Sequence, residues 1–431
     1  MIGMKHTKQT YKILADSLRF LALDAIQQAK SGHPGMPLGM ADIASVLWLE
    51  YIHLDPKDPQ WEHRDRFVLS NGHGSMLQYA LNYISGYAIT LDDIKQFRQL
   101  GSPTPGHPEY DLPCGIETTT GPLGQGIANA VGMAMGLKHR NIPAKVYCTV
   151  GDGCLMEGVS QEASSLAGTW ALNNLVVLWD DNGISIDGKT DGWFTENVPM
   201  RYEAMGWKVI RDVDGHDYQQ IQEALAAAME VTAPVLIQFK TVIGLGLDLE
   251  GTAAVHGAPA GNEAIAKMRQ QQKWDYEPFE LPAEINEIQL QMQARWSAYR
   301  QSQDVSVRSP DHKQEFAKLV KNALQNEQTM ATRAASQWVI GQLAEQLQDL
   351  VIGSADLKES NLTDWPQAQP FAKGNYQGRY IHYGVREFGM FAIANGLALT
   401  GLRPVVATFL TFLDYGRNAM RLACMMRLPV I

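Results

Sequence analysis

Two stretches of sequence decide the fold: AKVYCTVGDG at residues 144–153 and LVVLWDDN at residues 175–182. Each is a short apolar run that ends in polar residues, with Asp152 after the first and Asn182 closing the second. Apolar runs of this kind are typical of strands buried in a parallel sheet, and the carboxyl ends of such strands meet at one edge. The pattern therefore predicts that the Asp152 carboxylate and the Asn182 amide oxygen lie close together.

Asp152 and Asn182 offer the oxygen ligands that Mg²⁺ or Ca²⁺ prefers in proteins. The residues after Gly153 are expected to open a helix whose free N–H groups point to the same place, which favours a diphosphate beside the metal. A Gly-Asp-Gly turn is also common as an ordinary connection without any function. A metal–diphosphate site is therefore one of two interpretations of this turn.

The composition limits the classes of protein to which the chain can belong. Its 431 residues, of which 45% are hydrophobic, predict two or more domains. The net charge of −10 argues against nucleic acid or a membrane surface as the main partner. The cysteines lack metal spacing and fit a reducing cytoplasm, and the first residues lack the apolar segment of a signal peptide. No apolar run approaches the length of a membrane span.

The order of predicted elements indicates a doubly wound α/β domain with a parallel sheet. An amphipathic helix is predicted at residues 8–31, and helical runs then alternate with short buried strands until about residue 245. The predicted strands are 66–70, 144–150, 175–179, 207–211 and 235–241.

A second α/β domain is predicted to follow a linker, which gives a first domain at 1–310 and a second at 311–431. The second opens with a helix at 313–350, with strands near 350–354 and 404–409. The chain ends within a further predicted strand at 428–431. Because an α/β domain does not usually end on a new strand, we expect a truncated second domain.

The histidines at positions 33, 73, 107 and 256 each lie in a turn rich in glycine or proline. A histidine in such a turn can face a cleft, although each could simply cap its own loop. Histidines suit a site for sugar phosphates, because they donate hydrogen bonds to hydroxyls and relay protons near neutral pH.

Other candidate residues are ambiguous by themselves. The glycine-rich stretch at 118–126 could cradle a phosphate or serve close packing. Glu157 and Glu162 are predicted on the helix after Asp152, where they either face solvent or form a buried carboxylate network. Glu387 begins an apolar helix, and a buried carboxylate there is costly unless it is partnered or functional. Three aromatic residues at three-residue spacing fit a core or a cofactor pocket: Phe409, Phe412 and Tyr415.

Taken together, these segments resemble bacterial-type transketolases over essentially the whole chain. The matching motifs, in family order, are SGHPGMPLGMAD (31–42), FVLSNGHGS (67–75), GHPE (106–109), TTTGPLGQGIANAVGMAM (118–135), GDGCLMEGVSQEASSLAG (151–168), DDNGISIDG (180–188), VHGAP (255–259), ATRAAS (331–336), GSADLKESNLT (353–363) and RYIHYGVREFGM (379–390).

The resemblance implies a thiamine diphosphate cofactor held through Mg²⁺ or Ca²⁺. It assigns the metal ligands as Asp152, Asn182 and the backbone carbonyl of Ile184. It assigns cofactor contacts to His73, Gly121, Leu123, Gly153, His256, Phe409, Phe412 and Tyr415, with Glu157 and Glu162 in a carboxylate network across a dimer interface. Glu387 matches the glutamate that hydrogen-bonds the pyrimidine ring nitrogen of the cofactor and so promotes loss of the thiazolium C2 proton.

The resemblance also implies sugar-phosphate substrates and transfer of a two-carbon ketol unit from a ketose phosphate to an aldose phosphate. His33 and His107 match histidines near the sugar carbonyl and hydroxyls, and His256 belongs with them as a catalytic and substrate-binding residue. Arg333 and Ser360 match ligands of the sugar phosphate, a task that suits a guanidinium. The expected assembly is a homodimer whose site lies between the first domain of one subunit and the second domain of its partner.

The chain departs from the family pattern in the loop at 244–256, which lacks the usual serine and carries Ala253 where a histidine is common. The family also continues beyond Ile431, with further substrate residues and a third domain. Alternative interpretations are a non-catalytic truncated homologue that binds cofactor or partner subunits, a dihydroxyacetone or deoxyxylulose phosphate synthase, and one chain of a split transketolase. The side chains that favour transketolase over the other synthases are those of His33, His107, Arg333 and Ser360. A split into two chains is disfavoured, because it should fall between domains and Ile431 falls within one.

Overall fold

A computed structural model describes residues 6–303, 313–325 and 328–431. The helices of the first part are Lys8–Ala29 (α1), Gly35–Val46 (α2), Ser75–Ser85 (α3), Leu91–Lys95 (α4), Gln125–His139 (α5), Asp152–Met156 (α6), Gly158–Thr169 (α7), Val198–Ala204 (α8), Tyr218–Met229 (α9), Asn262–Gln272 (α10) and Glu284–Ser302 (α11). The strands are Arg66–Leu69 (β1), Val146–Gly151 (β2), Leu175–Asp181 (β3), Ile184–Ser185 (β4), Gly188–Lys189 (β5), Lys208–Asp214 (β6) and Val235–Lys240 (β7).

The main sheet has the order β1-β2-β3-β7-β6 within the described residues, and all of its pairs are parallel. Side chains of β2 alternate between two cores, because Tyr147 packs with α1, α2 and α3 while Cys148 and Val150 pack with α5 and α7. Helices therefore cover both faces, and the predicted doubly wound α/β fold is confirmed. In the β2–β3 pairing Gly151 lies opposite Asp180, which brings the two polar strand ends together as predicted.

The second part contains the helices Lys313–Leu324 (α12), Thr332–Gln346 (α13), Lys358–Asn361 (α14), Glu387–Leu399 (α15) and Leu413–Met425 (α16). Its strands are Leu350–Ser354 (β8), Tyr380–His382 (β9) and Arg403–Ala407 (β10). They form a parallel sheet in the order β10-β8-β9, which gives the second α/β unit. A small core beside this sheet is built from Ile340, Ala344, Leu350, Ile352 and Trp365.

Two predicted elements of the second part differ in the structure. The helix predicted at 313–350 is divided into α12 and α13, because Ala331 is extended (φ −62°, ψ 147°). The second of these helices ends before β8, since Leu347 is not helical. Residues 326–327 lie outside the described part. The segment at 428–431 is not a strand, although Ile431 exchanges two backbone hydrogen bonds with β10. Pro429 lacks the N–H that a longer ladder needs. The apolar helix predicted to begin at Glu387 does begin there.

The two parts of the chain pack against each other through α5 and α15, whose backbones approach closely at glycines. A Cβ atom at Gly396 would lie 2.0 Å from the carbonyl oxygen of Asn129, and one at Gly132 would lie 2.0 Å from that of Ile393. The main-sheet core that contains Cys148 and Val150 continues across this contact. The helix of Glu387 is therefore fixed to the helix that follows the glycine-rich stretch at 118–126.

We expect Gly396→Ala to destabilise the protein by about 2–3 kcal/mol, because the added methyl group meets backbone rather than a movable side chain. Gly341 in α13 is the matched control, since a Cβ there meets nothing closer than 4.0 Å. Gly341→Ala should be neutral or slightly stabilising. Urea unfolding of both variants measures the difference, and equal midpoints would contradict the close packing of α5 and α15.

None of the helices in the described ranges is both long and apolar enough to cross a bilayer.

Candidate functional site

A cavity of about 460 Å³ opens at the carboxyl ends of β2 and β3. The three predicted metal ligands, Asp152, Asn182 and Ile184, all line it. Asp152 follows β2 directly, Asn182 follows β3, and Ile184 begins the short β4–β5 hairpin. The parallel pairing of β2 with β3 thus brings Asp152 and Asn182 to the same edge of the sheet, as the sequence pattern predicts, and Ile184 lies in the same cavity.

The Asp152 carboxylate is buried with one oxygen unpaired. Its side chain is 5% exposed, Oδ1 accepts a hydrogen bond of 2.8 Å from Trp179 Nε1, and Oδ2 has no hydrogen-bond partner. Burial raises the pKa of Asp152 to about 7, assisted by the charges of Asp181 and Asp180 and opposed by the Trp179 hydrogen bond. A buried anionic oxygen without a partner is costly, and a bound cation would remove that cost.

Asn182 is held by two neighbours. Its Oδ1 accepts a 2.9 Å hydrogen bond from the Ile184 N–H, and its side chain also hydrogen-bonds Asp180. Asp180 is 2% exposed and accepts a hydrogen bond from Thr241 Oγ1, while burial raises its pKa to about 6. Asp180 lies in the stretch at 175–182, but the strand pattern alone does not distinguish it from Asp181. It orients the amide that would face a metal.

Among the described residues, no group of three or more His, Cys, Asp or Glu side chains could hold a metal. The set at the cavity is of a different kind, since it combines one carboxylate with an amide oxygen and a backbone carbonyl. Hard cations that accept such mixed oxygen ligands are Mg²⁺ and Ca²⁺, and both also bind phosphate oxygens.

Glycines leave room beside the Asp152 carboxylate. A Cβ at Gly153 would lie 3.0 Å from Leu123 Cδ1, and Gly121 has φ +133° with the His107 ring 3.1 Å from its absent Cβ. The helix predicted after Gly153 is only five residues long, because Glu157 is extended (φ −66°, ψ 133°) before α7 begins. Its macrodipole is correspondingly small, so the fit to a diphosphate rests on the cation site and the glycines.

The histidines from four separate turns meet at the cavity. His33 lies with its ring centroid 5.2 Å from that of His73, 6.1 Å from that of His107 and 5.8 Å from that of His256. The rings of His73 and His256 stack at 5.0 Å. This clustering favours a shared site over the alternative that each histidine only caps its own loop.

These histidines are held in the neutral form. Burial lowers the pKa of His33 from 6.5 to about 4, and the charge of Arg98 adds to the effect. Burial and the other histidines lower the pKa of His73 to about 3, and burial also lowers the pKa values of His107 and His256. At neutral pH the cluster therefore offers hydrogen-bond donors and acceptors rather than fixed positive charge.

The depressed pKa of His73 predicts a loss of stability in acid. In the unfolded chain this histidine becomes protonated below about pH 6.5, whereas in the folded protein it stays neutral until about pH 3. Protonation therefore favours the unfolded chain, and the free energy of unfolding falls as the pH drops from 7 to 4.5. We expect His73→Gln to lose about 2 kcal/mol less over this interval than the unsubstituted protein. Urea unfolding at both pH values tests this, with the exposed His382 as a His382→Gln control; parallel losses in both variants would contradict it.

The residues predicted to contact the pyrimidine ring of the cofactor do not line this cavity in the described chain. Glu387 is 7% exposed at the start of α15 and accepts a 3.3 Å hydrogen bond from Thr408 Oγ1. Phe409 and Phe412 stack at 5.8 Å, with Phe412 and Tyr415 at 6.4 Å, and Phe409 and Tyr415 are 40% and 67% exposed. Neither Glu387 nor these aromatic residues are among the described side chains that line the cavity. The three aromatic side chains are therefore a surface cluster and not the interior of a core.

The predicted carboxylate pair is only partly buried. Glu162, on α7, accepts a 2.6 Å hydrogen bond from the Gly389 N–H, and burial together with the Glu387 charge raises its pKa. Glu157 is exposed and lies in the break before α7 rather than on a helix, which corrects the prediction of one continuous helix. Arg333, on α13, and Ser360, on α14, are exposed and lie outside the histidine cavity.

The family comparisons match almost the whole chain. Residues 10–329 match the family described as "Transketolase, thiamine diphosphate binding domain", and residues 328–431 match "Transketolase, pyrimidine binding domain". The chain is 48% identical over 452 aligned positions to Transketolase 2 of Vibrio parahaemolyticus, and 47% identical to Transketolase 1 of Aliivibrio fischeri. Each alignment covers 97% of this chain and 68% of the relative.

The solved structures similar to this fold lead to the same family. A transketolase from Leishmania mexicana matches with a TM-score of 0.91 and 41% identity, over 99% of this chain and 68% of that chain. A transketolase from Pichia stipitis in complex with sedoheptulose-7-phosphate matches with a TM-score of 0.87 and 38% identity, over 98% and 68% of the two chains.

Proposed function

The chain belongs to the transketolase family, and we propose that it transfers a two-carbon ketol unit from a ketose phosphate to an aldose phosphate in the pentose phosphate pathway. The family matches support thiamine diphosphate as the cofactor. The observation that carries the proposal is the unpaired, buried Oδ2 of Asp152 in a cavity lined by neutral histidines. Solved Pichia stipitis transketolases in complex with sugar phosphates support that substrate class.

We propose that Asp152, Asn182 and the Ile184 carbonyl hold Mg²⁺, or Ca²⁺, and that this ion holds the diphosphate of the cofactor. His73 and His256 are stacked beside this point and would donate to diphosphate oxygens in their neutral form. Gly153, Gly121 and Leu123 leave the space that the cofactor needs. When bound, thiamine diphosphate supplies an electron sink for the carbanion formed when the carbon–carbon bond breaks.

We propose the remaining roles on the resemblance to the transketolase family. His33 and His107 would bind the sugar carbonyl and hydroxyls, and with His256 would relay protons at the reacting carbons. Arg333 and Ser360 would bind the sugar phosphate from the second domain. Glu387 would accept a hydrogen bond at the pyrimidine nitrogen of the cofactor, with Glu162 and Glu157 completing a carboxylate network.

We propose a homodimer in which the cavity of one subunit meets Glu387 and the surface cluster of the other. The support is that one described chain keeps these two groups apart, and that the surface around the cluster is apolar, with Leu410 87% exposed between Phe409 and Phe412. A partner that covers this face would bring a buried aromatic pocket to the cavity. The cytoplasm remains our proposed location on cysteine usage, since all the cysteines are free.

The domain division at 310 and 311 stays a proposal. The two family matches meet at residues 328–329, after the proposed boundary, and residues 304–312 lie outside the described part of the chain.

Ketol transfer between a ketose phosphate and an aldose phosphate, assayed with thiamine diphosphate and Mg²⁺ and then with each omitted, tests the proposal. We expect transfer that needs both additions. Cofactor binding without transfer would favour the non-catalytic homologue. Transfer only with the donors of dihydroxyacetone or deoxyxylulose phosphate synthases would favour those enzymes.

A further inference from the structure

Arg98 lies beside the histidine cluster, although none of the motifs quoted above contains it. It follows α4 in a turn with φ +63°, a left-handed conformation unusual for a residue with a side chain, and its N–H donates to the Thr104 carbonyl at 3.0 Å. Its Nη1 donates to Ser31 Oγ at 2.9 Å, and its Nη2 lies 3.4 Å from His33 Nδ1. The backbone turn and Ser31 together hold the guanidinium against His33.

The charge of Arg98 is not paired with a carboxylate among the ion pairs of the described residues. Its Nε is buried without a hydrogen-bond partner, and the guanidinium packs so closely on Gly106 that a Cβ there would lie 3.1 Å from Cζ. An arginine that is partly buried without an anion is costly, so a structural role in an ion pair does not explain it. Its polar contacts are instead directed at the loop of His33.

We propose that Arg98 is a positioning residue that fixes the tautomer of His33. A guanidinium can only donate hydrogen bonds, so the contact requires an unprotonated Nδ1 on His33 and places the ring proton on Nε2. A Cβ at Gly257 would lie 3.3 Å from His33 Nε2, which places that nitrogen beside His256 at the cavity. If the proposed ketol transfer holds, His33 would then donate its Nε2–H to a carbonyl or hydroxyl oxygen of the sugar.

The surrounding charges act in the same direction. The titratable and charged groups that face His33 are Arg98 from the turn after α4 and the rings of His73, His107 and His256. The positive charge of Arg98 disfavours protonation of both His33 and His107. Arg98 therefore opposes the doubly protonated form, in which Nδ1 could no longer accept its hydrogen bond.

Nitrogen NMR of the protein labelled with ¹⁵N-histidine tests the proposal without relying on turnover. The His33 signals are assigned by their loss in His33→Gln, and spectra are recorded across a pH titration for the unsubstituted protein, Arg98→Met, Arg98→Lys and Lys95→Gln. Lys95→Gln is the control, because it removes a positive charge from α4 in the same region without a contact to His33.

In the unsubstituted protein we expect Nδ1 to give the signal of an unprotonated nitrogen and Nε2 that of a protonated one. Arg98→Met should change the Nδ1 signal and raise the pKa of His33 by on the order of one unit, while Arg98→Lys should raise it less and Lys95→Gln should leave it unchanged. A proton on Nδ1 in the unsubstituted protein, or a His33 pKa that does not respond to Arg98→Met, would overturn the proposal. Either result would leave the proposed ketol transfer untouched, since the assay above tests that separately.

Discussion

Asp152→Asn is expected to abolish metal-dependent binding of thiamine diphosphate while making the metal-free protein more stable at pH 8. The carboxylate is the only charged member of the proposed ligand set among the described residues, and an amide is a far weaker ligand for a hard cation. Without the anionic oxygen, we expect cofactor binding to weaken by at least about 100-fold and to become insensitive to Mg²⁺.

The gain in stability follows from the raised pKa of Asp152. Because the folded-state pKa of about 7 lies above the value of 3.8 for an unperturbed aspartate, the folded protein holds a proton that the unfolded chain releases between these limits. The carboxylate therefore lowers stability progressively as the pH rises from about 4 to 7, and the full cost persists above pH 7. The neutral amide avoids this cost, so Asp152→Asn should gain about 2–4 kcal/mol at pH 8 and little at pH 4.

Urea unfolding with a chelator present, at pH 4 and pH 8, measures this gain, and calorimetric titration with and without Mg²⁺ measures cofactor binding. Asp191→Asn is the matched control, because it removes the same charge from an exposed position near the site. If Asp152→Asn kept Mg²⁺-dependent binding, Asp152 would not be a metal ligand. If Asp152→Asn gained no stability at pH 8, the ionised Asp152 carboxylate would not destabilise the folded protein.

Glu387→Gln is expected to keep cofactor binding and to lose catalysis. The carboxylate begins an apolar helix, and the described structure gives it one weak hydrogen bond, from Thr408. A carboxylate in this position is available to accept a hydrogen bond from the cofactor, whereas glutamine keeps the shape but cannot take up or share a proton. We expect proton exchange at the C2 position of bound thiamine diphosphate to slow by about 10²–10⁴-fold, with ketol transfer reduced in parallel.

Quenched exchange into D₂O, followed by proton NMR of the released cofactor, measures this rate, and Glu345→Gln on the exposed face of α13 is the control. Exchange at the unsubstituted rate would remove Glu387 from the proposed mechanism.

A second expected result concerns Glu162. The Glu387 charge is one of the causes that raise the pKa of Glu162, so that pKa should fall in Glu387→Gln.

The strands and the proposed metal ligands Asp152 and Asn182 could be predicted from the sequence, because both depend on local sequence pattern. Apolar runs at 146–151 and 175–181 form the paired strands β2 and β3, and parallel geometry then requires Asp152 and Asn182 to meet. The histidine turns could be singled out one at a time. Their meeting in one cavity could not be predicted, because it depends on how four distant segments of the chain pack together.

The features that escaped prediction depend on tertiary contacts. The Trp179–Asp152 hydrogen bond joins β3 to the first residue of α6, and the Arg98–His33 contact spans 65 positions of sequence. The break at Glu157 directly precedes Gly158, a poor helix former, but this local signal is weak because glycines also occur within helices such as α5. From the sequence alone, Gly132 and Gly396 only lower the helical propensity of their segments. The close approach of α5 and α15 explains why glycine is needed at both positions.

We propose that each catalytic site combines the Asp152 cavity of one subunit with Glu387 of the other. The decisive measurement is C2 proton exchange in a mixed dimer of Asp152→Asn and Glu387→Gln chains, purified through two different tags. If the site spans two subunits, the mixed dimer has one intact site and one doubly substituted site, and C2 proton exchange should recover to about half of the unsubstituted level. If each site lies within a single chain, both sites of the mixed dimer carry one substitution. Exchange as low as in the two parent variants would then show that Asp152 and Glu387 of different subunits do not share a site.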